Sequence, residues 1–101
     1  MNLAPFSPQA TGTIVISATQ TAASTAFTTN AASSYMITNG GANTVFHTVT
    51  KAAATASVTT STPVLAGAIM IFSMPEDAAF VNTICASGQS ATVYVTPGEG
   101  Q

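Results

Sequence analysis

One cysteine, one histidine and three carboxylates are all the chain offers for thiol, imidazole or carboxylate chemistry: Cys85, His47, Glu76, Asp77 and Glu99. Cys85, His47 and Asp77 are nominally the parts of a nucleophilic triad. In a chain with a single Cys and a single His that coincidence is cheap. Asp77 falls in a Pro75-Glu76-Asp77 turn, and no strand-to-helix nucleophile elbow is visible. Cys85 therefore reads as a buried structural cysteine, which behaves as a small hydrophobe. A regular strand puts His47 on one face with Val45 and Val49, so it reads as a partly buried or interface histidine. No His/Cys spacing fits zinc, and no acidic loop follows the calcium pattern. Glu76-Asp77 reads as a solubilised turn, with Lys51 of a neighbouring chain as its one conceivable ionic partner. Asn39-Gly40-Gly41 and Pro97-Gly98-Glu99-Gly100 are glycine-rich, but neither opens a helix, as a phosphate cradle requires. The expectation is a protein that is not an enzyme, with no catalytic, cofactor-binding or metal-binding residue.

The elements that carry these residues read as strands. Short β-branched or alternating runs cover 13–17, 24–29, 34–38 and 44–50. Further runs cover 57–61, 68–74, 79–86 and 91–96. Asn39-Gly40 is a hairpin signal, with a loop of a few residues before Thr44. The Ala-rich stretch 51–56 is too short for a stable helix and reads as an irregular loop. Ser57–Ser61, closed by Pro63, reads as an edge strand. Ala68–Met74 is apolar on both faces and reads as a central, buried strand. In 91–96, Ala91, Val93 and Val95 share one face and Thr92, Tyr94 and Thr96 the other. Phe27, Phe46, Phe72 and Phe80 are assigned to the core. About eight short antiparallel strands with turn chemistry between them predict an all-β fold, a small β-sandwich or a jelly-roll-like barrel. Residues 1–12 read as an extended N-terminal arm, 13–96 as the β domain and 97–101 as a flexible C-terminal tail. Within the arm, Phe6 between Pro5 and Pro8 is a candidate docking anchor for a partner chain.

Composition decides which functions are open. Only 4% of the 101 residues are charged, where about 25% is usual. Hydrophobic residues make up 47%, an ordinary share, so the chain is not disordered. Hydroxyls, amides and methyls fill the surface, and few charges need desolvating on close contact. Such a surface suits packing against neighbours better than free diffusion. A single Lys and a net charge of −2 argue against nucleic acid. No apolar run approaches the ~20 residues of a membrane span. The N-terminus lacks the pattern of a signal peptide, so synthesis in a cytoplasm is expected.

The C-terminal half has a cadence of its own. Pro63-Val64-Leu65-Ala66-Gly67 leads into an apolar strand. Phe80 to Ser87 follows, and the chain closes on Gly88-Gln89-Ser90-Ala91-Thr92-Val93-Tyr94-Val95-Thr96-Pro97-Gly98-Glu99-Gly100. Tyr35-Met36-Ile37-Thr38-Asn39 followed by Val45-Phe46 belongs to the same cadence. Over roughly residues 34–100 the chain resembles the small structural proteins of tailed bacteriophages. The resemblance implies a virion protein: a capsid decoration (cement) protein that packs between major capsid protein subunits, as a homo-oligomer with a trimer favoured. A tail, fibre or head–tail connector component, with receptor binding as one role open to it, is the alternative. A carbohydrate-binding β-sandwich ranks lower, because the chain has no Trp and few acids.

Overall fold

A computed structural model describes residues 6–28 and 32–99. Its described residues form nine strands: β1 (Ser7–Pro8), β2 (Ile14–Ala18), β3 (Ala23–Ala26), β4 (Ser34–Asn39), β5 (Val45–Thr50), β6 (Thr62–Val64), β7 (Ile69–Ser73), β8 (Phe80–Cys85) and β9 (Ala91–Glu99). The front sheet has the order β2-β9-β4-β7, with β1 extending the β2 edge along β9. The back sheet has the order β3-β8-β5-β6. Every pairing is antiparallel. β2 lies beside β9, β3 beside β8, β4 beside β7 and β5 beside β6. The chain is thus one long hairpin rolled into two sheets, which is the topology of a jelly roll.

Alternation builds the core. Ile14, Ile16 and Ala18 of β2 point inward, as do Tyr35 and Ile37 of β4 and Ala91, Val93 and Val95 of β9. From the back sheet come Val45, Val64, Val81 and Cys85. The two faces expected for 91–96 are those observed.

Four expectations change. Asn39-Gly40 does not close a hairpin within one sheet, because β4 and β5 lie in opposite sheets. Instead the Asn39 side chain is buried and ties the crossing together: its amide donates to the carbonyls of Asn43 (2.8 Å) and Val64 (2.9 Å), and its oxygen accepts from Gly41 N–H. Ser57–Ser61 is a turn, not a strand. Ser57 and Ser61 hydroxyls capture the local backbone N–H groups of Thr59 and Ser57, a competition that Ser and Thr regularly win over a ladder. The edge strand is β6, where Pro63 needs no ladder N–H. Ala68–Met74 is not central: β7 is the outer strand of the front sheet, with Ile69 64% and Ile71 43% exposed. Phe46 and Phe80 alternate with inward residues and stand half-buried on the outer face of the back sheet, while Phe27 and Phe72 pack on the core.

The first and last described segments meet along β9. Ser7 and Pro8 pair with Glu99 and Gly98, and Gln9 N–H donates to the Pro97 carbonyl. β2 then resumes at Ile14 opposite Val95, so residues 9–13 stand against only 96–97. β1 and β2 are therefore two pieces of one edge, separated by a bulged-out segment of five residues opposite two. β9 continues through a buried Pro97 to Glu99, so the strand takes in residues expected as tail.

Candidate functional site

The parts of the nominal triad are not assembled. Cys85 faces the core, and burial pushes its thiol up, away from the reactive thiolate. Asp77 is exposed in the β7–β8 turn, at a left-handed φ of 58°. His47 is occupied on both ring nitrogens. Its Nδ1 lies 3.2 Å from the Thr62 carbonyl, which can only accept, so Nδ1 carries the proton. Nε2 is then an acceptor, and the Tyr35 hydroxyl donates to it at 2.9 Å.

This pair joins the two sheets, since Tyr35 is on β4 and His47 on β5. His47 is 1% exposed and Tyr35 5%. Phe72 stacks against both rings at centroid distances of 5.5 Å. Burial lowers the pKa of His47, partly offset by its bond to the Thr62 carbonyl, and pushes Tyr35 up to about 12. Both groups are thereby held neutral at ordinary pH. Thr83 pairs with His47 across the back sheet, and its buried hydroxyl has no hydrogen-bond partner among the described residues. The arrangement is a neutral polar clamp between the sheets; the sequence placed His47 on the correct face but not its depth.

The outer faces of the two sheets differ. On the back sheet Asn82 is fully buried although it faces outward. Its oxygen accepts from Ala54 N–H (3.1 Å) and lies 2.7 Å from the Ser24 hydroxyl; its amide donates to the hydroxyls of Thr48 (3.0 Å) and Thr50 (2.8 Å). The backbone donor at Ala54 fixes the orientation of the amide. Thr50 in turn donates to the Ala52 carbonyl. The β5–β6 loop is so pinned over the back sheet, and Ala56 is buried. Nothing local in the sequence distinguishes Asn82 from a surface Asn.

The front sheet has no such cover. Its register sets Val15 beside Tyr94, Tyr94 beside Thr38, and Thr38 beside Ile69 in one row across four strands. Val15 is 62% and Tyr94 42% exposed. The next row holds Thr96, Met36 and Ile71. No charged residue belongs to β2, β4 or β7, and the single one in β9 is Glu99 at its end. Tyr94 is thus flanked by Val15 and Thr38 rather than by acids or amides.

Of the residues singled out for docking, Pro5 lies outside the described residues. Pro8 is exposed in β1. Phe6 is half-buried against the chain's own Gly98: a Cβ at position 98 would stand 2.7 Å from Phe6 Cζ and would also collide with the Ser7 carbonyl oxygen. Only glycine fits there. No protein-family model, curated protein or solved structure matches the chain.

Proposed function

We propose that this chain is a non-enzymatic packing module that buries the outer face of its front sheet against other protein chains, and that its setting is a bacteriophage capsid, as a decoration protein. The observation that carries the packing role is the uncharged front face, which exposes Val15, Tyr94, Ile69 and Ile71 while the chain covers its own back sheet. A soluble monomer rarely leaves such a patch bare. The virion setting rests on the resemblance of residues 34–100 to small tailed-phage structural proteins. The jelly roll is compatible with it, being common in capsid domains, although lectins and cupins use it too. On this reading the mechanism is linkage: contacts available only on the assembled shell stabilise that shell. On the assembled shell, in contrast to the free chain, the expected cluster is a trimer.

The test is copy number in purified virions of the phage whose genome encodes the chain. Copies on the order of hundreds support a shell protein, whereas a ring of about six to twelve would move it to the tail or portal. Absence from the particle would overturn the virion setting.

A further inference from the structure

The strand that reads as central stands at an edge. β7 has the sequence Ile69-Met70-Ile71-Phe72-Ser73, and β4 is its one ladder partner among the described residues. Sheet edges are normally blunted by charge, Pro or a bulge. The other three edges here are blunted: β6 by Pro63, β1/β2 by Pro8 and the bulge, β3 by its short run Ala-Ser-Thr-Ala. β7 carries none of these devices.

The direction of its free backbone groups follows from the ladder. Asn39 N–H donates to the Ala68 carbonyl, and Met74 N–H to the Ser33 carbonyl. Antiparallel bonding repeats every second residue, so residues 70 and 72 also face β4. The N–H and C=O of Ile69, Ile71 and Ser73 therefore point away from the sheet.

We infer that β7 is a homodimer edge: two copies pair β7 to β7 antiparallel about a two-fold axis at Ile71. The occupant is a second copy because the edge is complementary to itself. With Ile71 opposite Ile71, residue 69 of each chain faces residue 73 of the other. All three outward residues then become hydrogen-bonded pairs, about six new bonds. Exposed Ile71 side chains meet directly across the axis, and each Ile69 sits beside a Ser73. The nearest charges, Glu76 and Asp77, fall beyond both ends of the pairing and never face their own copies. The two front sheets become one continuous sheet, which gives β7 the central position that its sequence implies. The inference shares with the packing role the assumption of a second chain, but it needs no capsid.

The purified chain alone tests it. Sedimentation at about 100 µM should show a dimer, and Ile71→Lys should raise its dissociation constant roughly tenfold or more. Single cysteines map the axis. Paired Ile71→Cys residues lie about 5.5 Å apart between Cα atoms, within disulfide range, whereas copies of Ile69→Cys lie about 14 Å apart. Mild oxidation should link Ile71→Cys and leave Ile69→Cys unlinked. A wild-type monomer at that concentration, or equal linkage at both positions, would overturn the inference. A dimer absent from virions sinks the shell reading alone; a monomer that still coats shells sinks this contact alone.

Discussion

Asn82→Ala should loosen the β5–β6 loop without reaching the front sheet. Asn82 is the one side chain that accepts from Ala54 N–H, and it also holds Thr50, whose hydroxyl ties down Ala52. Removing it takes away its bonds to the Ala54 N–H and the Thr50 hydroxyl, each worth about 0.5–1.5 kcal/mol net. Taking about 2 kcal/mol for the loop, its open population rises roughly 30-fold, at about 1.4 kcal/mol per tenfold. The chain provides its own reporter, because Lys51 is its only Lys or Arg and therefore its only tryptic site. Trypsin needs several residues of extended chain, so cleavage after Lys51 measures local opening. The variant should be cut roughly 30-fold faster at pH 7, giving fragments 1–51 and 52–101. The rate should respond weakly to sub-denaturing urea, since little surface is exposed in a local opening. Ser24→Ala, which spares the Ala54 N–H bond, should have a smaller effect. Cleavage of Asn82→Ala within twofold of wild type would show that the loop is held by something other than this amide.

Two further outcomes follow from the inter-sheet clamp. His47 is buried neutral with a lowered pKa, so below the unfolded value of about 6.5 the unfolded chain binds the extra proton and the folded one does not. Stability should be full above that value and fall as pH drops through it, by at most about 1.4 kcal/mol per unit, until the lowered folded pKa is reached. Urea denaturation at pH 7.5 and 5.5 checks this; His47→Gln should flatten the difference, and an unchanged slope would refute the role. Thr83→Val removes a buried hydroxyl that has no partner and should be neutral or stabilising by about 1 kcal/mol in the same assay; destabilisation beyond that would mean the hydroxyl is bonded.

Local pattern was enough for the strands and not for their partners. The alternation in 91–95 and the shared face of Val45 and His47 were legible because side-chain direction depends only on the backbone period. Which sheet a strand joins depends on contacts far apart in sequence. The Thr13 and Thr96 hydroxyls bond across 83 positions, and no window contains both. Asn39-Gly40 carries a hairpin signal but does not close one for that reason, since a rolled chain sends consecutive strands to opposite sheets. Phe46 and Phe80 looked like core because aromatics usually are; their parity puts them on the outer face, and the buried volume goes to Tyr35 and His47 instead. In 57–61 the strand propensity of Thr lost to hydroxyls that bond the nearest backbone.

The edge position of β7 differs in kind. Its sequence is apolar on both faces, yet the described residues cover only one of them. Within the monomer only Met70 and Phe72 are packed on the core, and Ile69 and Ile71 are left to solvent. The scarcity of charge has the same meaning at the level of the whole molecule. Lys51 sits in the loop over the back sheet, Glu76 and Asp77 in the β7–β8 turn and Glu99 at the end of β9, so the front face has none. On the proposed packing role, folding and association fall to opposite sides of the sandwich. Asn82→Ala acts on the back sheet and should leave self-association intact. Ile71→Lys acts on an exposed front position and should leave tryptic cleavage at Lys51 at the wild-type rate. If either variant moved both measurements, the two faces would be coupled through the core, and the division of labour between them would not hold.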